Sequence, residues 1–167
     1  MPLFRDIKRL PLVPQLNLIL LGALLVTLSM FLWPHWQENA DLSHGFFMPL
    51  LFLLLLQESR NHGAARFLPP HPFKTALTII SILAGLFTMA AAGLYAVTVG
   101  WSHTLVAFSL TAGACLLFFA GLLALSDAKV KLLPLNWTSL VAIGLWLLCA
   151  PLPPGTYSQL TLSLQLS

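Results

Sequence analysis

Five apolar runs follow one another along the chain, and short polar stretches separate them. The runs cover roughly residues 16–33, 45–57, 75–96, 104–126 and 135–150. The segment LLFLLLL at residues 50–56 lacks the alternation of a lipid-facing barrel strand. Because every backbone amide in hydrocarbon has to bond within its own helix or within a closed barrel, we expect helices. The pattern predicts an all-α fold, a polytopic membrane helix bundle of about five transmembrane helices in a single domain over residues 1–167.

Composition supports a membrane protein. Hydrophobic residues make up 58% of the chain and charged residues only 8%, whereas a soluble domain has about a quarter charged residues. Residues 75–126 contain no Asp, Glu, Lys or Arg. One crossing takes about 20 residues, so this stretch fits two crossings joined by a short turn.

The basic residues lie in three places along the chain. They are Arg5, Lys8 and Arg9, then Arg60, Arg66 and Lys74, then Lys129 and Lys131. With five crossings and a cytoplasmic N-terminus, all of them face the cytoplasm, as the positive-inside rule expects. The segments 34–45, 97–103 and 151–167 then lie on the outer face. The basic residues form no dense patch, so we expect membrane lipid as a partner and no nucleic acid.

Aromatic residues accumulate on the predicted outer face. They are Trp33, Trp36, Tyr95, Trp101 and Tyr157, and we interpret them as anchors at the membrane interface. The segment 159–167 alternates polar and apolar residues, which by pattern alone is typical of a strand. Because an unpaired strand edge is costly near lipid, we favour the start of an interfacial helix.

The outer segment 34–45 contains four side chains that can exchange protons or bind a metal, namely His35, Glu38, Asp41 and His44. Their three-residue spacing would place them along one helical face. Pro34 and the shortness of the segment disfavour a regular helix, and no recognised metal motif is present. A metal site is one alternative. The favoured one is a solvated connection, without metal or cofactor, in which Asp41 or Ser43 caps the next helix.

His44 and Gly45 stand where the polar segment meets the second apolar run, and two interpretations remain open. In the first, His44 is an interfacial side chain. In the second, it faces the bundle and orients groups on neighbouring helices, since polar residues at membrane depth tend to be functional. Gly45 would allow another backbone to approach closely.

Small residues inside the apolar runs are predicted to serve packing. Cys115 and Cys149 have no Cys or His at ligand spacing, so a disulfide framework or a zinc site is not expected. We interpret both as small buried residues. Four glycines, Gly85, Gly93, Gly113 and Gly121, are predicted to bring helices into close contact.

The stretch NADLSHGFFMPLLFLLLL resembles the signature near the N-terminus of the exosortase/archaeosortase family. The matching residues are Asn39, Asp41, Ser43, His44, Gly45, Phe46 and Pro49. A second stretch, PLPPGTYSQLTLSLQ, is similar to the segment that precedes the family's catalytic cysteine. The resemblance covers essentially the whole chain and corresponds to the N-terminal half of the family architecture.

This resemblance implies a polytopic membrane cysteine transpeptidase/protease of the bacterial inner membrane, associated with exopolysaccharide production. Such proteins recognise C-terminal sorting tags (PEP-CTERM in bacteria) that consist of a short motif, a transmembrane helix and a basic tail, and they cleave on the outer side. Catalysis in the family is attributed to a cysteine followed by Ser-Gly, with arginine and histidine on later segments. A neighbouring cation would lower the pKa of such a thiol.

None of those catalytic residues carries over to this chain, because Cys115 and Cys149 both precede the second matching stretch. We therefore expect a truncated, split or degenerate relative that has no catalytic residue and no peptidase activity by itself. Asn39, Asp41, Ser43, His44 and Gly45 would mark an outer-face site. A sorting-tag helix or a separate catalytic half would be its partner.

A rival interpretation is a non-enzymatic scaffold or assembly subunit for polysaccharide export. The Ser-His-Gly-Phe match would then be an interfacial coincidence. A small transporter is a third possibility, but no Asp, Glu, Lys or Arg lies within the apolar runs to line an ion pathway.

Overall fold

The structure, a computed structural model, describes residues 11–152. It consists of five α-helices, namely α1 (Leu12–Glu38), α2 (Met48–Asn61), α3 (Pro72–Val99), α4 (Thr104–Leu125) and α5 (Trp137–Leu148). A 3₁₀ helix, Ala40–Phe47, leads directly into α2. Between residues 11 and 152 there is no β-strand, so the predicted all-α class is confirmed. Tyr157 and the helix predicted at 159–167 lie outside the described residues.

Four helical segments are long and apolar enough to cross a membrane. They are α1, the continuous segment Ala40–Asn61, α3 and α4. The fifth helix is shorter than predicted, because its 12 residues rise only about 18 Å. The hydrocarbon core is about 30 Å thick, so α5 does not cross it by its own length.

Helix α4 forms the centre of the bundle, and more than half of its membrane-length window is buried. Helices α1, α3 and α5 all pack against it. The α3–α4 contact is close because two glycines face each other. A Cβ on Gly113 would lie 2.9 Å from the carbonyl oxygen of Gly85 and 2.5 Å from Cγ of Met89. The packing role predicted for these two glycines is confirmed.

The two remaining glycines, Gly121 and Gly93, differ in how closely another side chain approaches them. A Cβ on Gly121 would lie 2.6 Å from Leu21, so Gly121 does admit a side chain of α1. At Gly93 the nearest atom belongs to Trp101 and lies 4.0 Å away. The prediction is therefore confirmed for Gly121 and wrong for Gly93, which is only partly buried although Ala92 and Ala96 of the same helix are buried.

A buried polar cluster joins the end of α2 to the start of α5. The Ser59 hydroxyl donates to Oδ1 of Asn136 over 2.8 Å, and Nδ2 of Asn136 donates to the carbonyl oxygens of Ser59 (3.1 Å) and Ala64 (3.3 Å). Oδ1 also accepts from the Ser139 N–H over 3.0 Å, which caps α5. The side chains of Ser59, Asn136 and Ser139 are all buried. A Cβ on Gly63 would strike Asn136, so glycine is required there.

The two connections at this end of the bundle also bond to each other through their backbones. Leu68 donates its N–H to the Ser126 carbonyl and accepts from the Ala128 N–H, each over 2.9 Å. The Leu135 N–H bonds the Arg66 carbonyl over 2.9 Å. The connection 62–71 contains no helix, and its prolines are typical of such a segment.

Asp127 adds an ion pair to this end of the bundle. Its carboxylate accepts from the Lys74 ammonium at the start of α3 and, over 2.9 Å, from the N–H of Lys129. Both side chains of the ion pair are mostly buried, with 12% of Lys74 and 20% of Asp127 exposed. The hydrogen bond from Lys74, and then that from Lys129, hold the pKa of the Asp127 carboxyl below its ordinary value.

Replacement of Asn136 by Ala is expected to destabilise the protein by about 1–3 kcal/mol, because the Ser59 hydroxyl would lose its acceptor inside the bundle. Thermal unfolding in detergent measures the effect. Asn61→Ala is the matched control, since Asn61 lies exposed at the end of α2. Equal losses in the two variants would contradict a special role for the buried cluster.

Replacement of Asp127 by Asn is expected to lower the unfolding temperature at pH 7 by about 2–4 °C, if the ion pair contributes about 1 kcal/mol. The folded carboxyl has a lowered pKa. The unfolded state therefore binds more protons as the pH falls below about 4, and the stabilisation disappears through the folded-state pKa. The difference between wild type and variant should shrink over that range. A difference that stays constant from pH 7 to pH 3 would contradict this origin.

Candidate functional site

The C-terminal end of α1 turns into the 3₁₀ helix at Asn39. Pro34 lies inside α1, which nevertheless continues to Glu38. Asn39 then adopts an extended conformation (φ −115°, ψ 111°), and its Oδ1 accepts from the Asp41 N–H over 3.0 Å. Asn39 is therefore the cap of the following helix. The prediction that Asp41 or Ser43 would cap it is wrong, because the helix begins earlier than the apolar run.

The three-residue period of the 3₁₀ helix decides which of its side chains are buried. Leu42, Gly45 and Met48 follow one another at this spacing, and all three are buried. Asp41 and His44 lie on another face, and both are exposed. Between residues 11 and 152 the His44 side chain has no hydrogen-bond or ion-pair partner. The structure thus contradicts the interpretation in which the His44 side chain faces the bundle.

Gly45 packs against the indole ring of Trp36. A Cβ at position 45 would lie 2.2 Å from Nε1 of Trp36 and 2.5 Å from two of its ring carbons. Gly45 therefore permits close approach, as predicted, but the partner is a side chain of α1 and not another backbone.

The Trp36 indole also bonds the end of α5. Its Nε1 donates to the carbonyl oxygen of Cys149 over 2.8 Å, and only 1% of Trp36 is exposed. Cys149 ends α5, two residues before Pro151. One buried side chain thus holds the 3₁₀ helix, the end of α1 and the end of α5 together.

Aromatic rings surround this contact. Phe46 packs edge-on against Trp33 and Trp36, with ring centroids 4.9 and 5.7 Å apart. Trp33, Tyr95 and Trp101 keep large exposed surfaces, as interfacial anchors do. Trp36 does not, so its assignment as an interfacial anchor is wrong. It follows Leu28 and Leu32 at four-residue spacing, on the face of α1 that is buried.

The structure does not bring the five signature residues together as a catalytic site. Asn39, Asp41, Ser43 and His44 are exposed, and Gly45 is buried. The one side-chain hydrogen bond among them, within the described part of the chain, is that of Asn39 with the Asp41 backbone. Over residues 11–152 no group of three or more His, Cys, Asp or Glu side chains could hold a metal ion. Two other histidines, His71 and His103, accept backbone N–H groups as caps of α3 and α4.

Both cysteines are buried in the bundle. The Cys115 thiol lies 3.4 Å from the Ile143 carbonyl oxygen of α5, and only 3% of Cys149 is exposed. Neither forms a disulfide. The packing role predicted for them is confirmed by this burial.

The sequence did not identify Trp36 as the side chain that connects α1, the 3₁₀ helix and the end of α5. Its four-residue spacing from Leu32 was the available signal, but α1 is apolar on every side. In such a helix the spacing does not separate a core face from a lipid face.

Comparison with known proteins adds no relative. No protein-family model matches the chain, and neither a curated protein nor a solved structure matches it. The fold and the geometry around Trp36 are therefore the observations from which function has to be argued. The exosortase resemblance stays a prediction that depends on the quoted motifs.

Replacement of Gly45 by Ala is expected to destabilise the protein by about 1–3 kcal/mol, because the new methyl group would overlap the Trp36 indole. Gly144→Ala is the matched control, since a Cβ there meets nothing within 4 Å. Trp36→Ala removes the indole that the methyl group would strike. In that background Gly45→Ala should cost less, which a double-mutant cycle by thermal unfolding measures. The same cost in both backgrounds would contradict the contact.

Proposed function

We propose that this chain is an exosortase-like multi-pass protein of the bacterial inner membrane. It works in PEP-CTERM-type protein sorting associated with exopolysaccharide. Its part is to hold the transmembrane helix of a sorting tag near the outer face, and the peptidase groups come from a separate catalytic half. The observation that carries the proposal is that the Trp36 side chain packs on Gly45 of the first motif and bonds Cys149, two residues before the second motif begins.

The first motif contributes Gly45, which packs on the Trp36 indole. The second motif begins at Pro151, directly after Cys149 and Ala150. The Cys149 carbonyl accepts the indole N–H, and Pro151 is buried. The first motif and the first residue of the second, Pro151, thus lie at one end of the bundle, although about a hundred residues separate them in the sequence. A shared site would need this arrangement, so it supports the resemblance beyond the motifs themselves.

Burial of the cysteines supports a role without catalysis for this chain by itself. A nucleophilic thiol has to be reached by its substrate and activated by a base or a cation. Cys115 and Cys149 are both buried and serve packing contacts. His44 is exposed on the 3₁₀ helix, where a tag helix or a catalytic partner could contact it.

The proposal is tested by producing the full chain with a PEP-CTERM-tagged substrate in cells that lack the family. We expect no processing of the tag, and cleavage that Cys149→Ala abolishes would contradict the proposal. A photo-crosslinking residue at position 44 is expected to capture the tag helix. The same residue at position 131, at the opposite end of the bundle, is the control and should capture none. Equal capture at both positions, or none at position 44, would also contradict it.

The rival function is a non-enzymatic scaffold for polysaccharide export. Under it the exposure of His44 is incidental, and the Ser-His-Gly-Phe match is an interfacial coincidence. Under this alternative His44→Ala changes the interaction with no partner, and a crosslinker at position 44 does not capture the tag helix. The crosslinking experiment therefore separates the two functions.

A further inference from the structure

A groove of about 480 Å³ lies between α1 and α3, at the end of the bundle away from Trp36. Both helices pack on α4 but make little direct contact with each other. The end of α4, at Ala124 and Leu125, forms the floor of the groove. The groove is therefore a gap on the membrane-facing side of the bundle, and it is separate from the site proposed above.

Most of the groove is apolar. Val13 and Pro14 of α1 line one wall, and Ile79 of α3 lines the other. Val13 is 76% exposed and Ile79 is 51% exposed, so both present apolar surface to whatever fills the gap. Contact of this apolar surface with water would be unfavourable, whereas a hydrocarbon chain would cover it.

One end of the groove is charged. Lys74, Asp127 and Lys129 line it together. The ammonium of Lys74 is paired with Asp127, and the Asp127 carboxylate also accepts the Lys129 backbone N–H. Within residues 11–152 the Lys129 ammonium makes no hydrogen bond or salt bridge and attracts Asp127 only through space, and this side chain is exposed. The two cations and one anion leave a net charge of +1 at this end.

The remaining polar groups of the groove are already bonded within the protein. Nδ2 of Asn17 donates to the Gly121 carbonyl over 3.2 Å, and the Thr78 hydroxyl donates to the Lys74 carbonyl over 2.9 Å. A ligand would therefore find one cationic end and one apolar body. This combination fits an amphiphile with an anionic head.

We propose that the groove binds one anionic phospholipid. Its phosphate lies at the Lys129 and Lys74 ammonium groups, and an acyl chain lies between Val13 and Ile79. The positive-inside arrangement places these lysines at the cytoplasmic headgroup layer, where anionic lipids attract basic side chains. The site goes beyond the proposed function and does not depend on it. The length of α1, about 35 Å from Pro11 to Trp36, separates the two sites.

The test is a lipid titration of the full chain in detergent, followed by native mass spectrometry. Dioleoyl phosphatidylglycerol is expected to bind more tightly than dioleoyl phosphatidylcholine, which has the same chains. Lys129→Gln should weaken phosphatidylglycerol binding about fivefold, the effect of one cation near a lipid surface. Lys131→Gln is the matched control, because it removes the same charge from the same connection but does not line the groove.

Two further measurements distinguish the contribution of the lipid headgroup from that of the acyl chain. Asp127→Asn raises the net charge of the groove from +1 to +2 and should tighten phosphatidylglycerol binding, which a purely structural effect would not do. Inorganic phosphate and a six-carbon-chain phosphatidylglycerol should both bind more weakly than the dioleoyl lipid, because they lack the apolar contact.

Three outcomes would overturn the proposal. Equal binding of the two dioleoyl lipids would exclude recognition of the anionic head. An equal loss in Lys129→Gln and Lys131→Gln would mean diffuse attraction to the connection and not a site. Binding of inorganic phosphate as tightly as the lipid would exclude the acyl chain as part of the ligand.

Discussion

Among the buried side-chain nitrogen and oxygen atoms of residues 11–152, all but Nε1 of Trp146 bond within the protein, and Asn136 bonds three segments at once. Its amide bonds Ser59 at the end of α2, Ala64 in the next connection and Ser139 in α5. At the other end of α5 the Cys149 carbonyl accepts the Trp36 indole. A helix too short to cross the membrane is therefore attached at both ends to helices that do cross it.

The two ends of the bundle present different side chains, and this difference follows from the way in which α1 and α3 pack on α4. Small residues along α4, among them Gly113 and Gly121, let α3 and α1 lie close to it. Because α1 and α3 both pack on α4, a gap stays between them, and the lysines of the connections line one end of that gap. At the opposite end, aromatic rings pack around Trp36. Lysine side chains therefore lie at one end of the bundle and packed aromatic rings at the other.

Hydrophobic runs predicted the number and order of the helices, because apolar stretches in lipid have few alternatives to a helix. The boundaries were less predictable: the first run, 16–33, becomes α1 over Leu12–Glu38. Asn136 and Ser139 form a capping box, which is a recognisable start signal, whereas the bond from Asn136 to Ser59 spans 77 residues and leaves no local trace. Trp36 was misassigned because tryptophan suits both an interface and a core. Gly45 predicted a close contact, but the sequence did not show that its partner is the Trp36 side chain.

The hydrogen bond between Trp36 and Cys149 also has a consequence for the order in which the protein assembles during synthesis. Its two residues stand 113 positions apart, so at usual rates of translation the acceptor is made roughly 6–20 s after the donor. Gly45, by contrast, follows Trp36 closely, and its contact with the indole is available at once. The contact between α1 and the 3₁₀ helix can therefore form around a tryptophan whose N–H still has no acceptor. The hydrogen bond forms only once α5 has been made. The nascent protein therefore passes through a stage in which the Trp36 N–H is an unpaired donor.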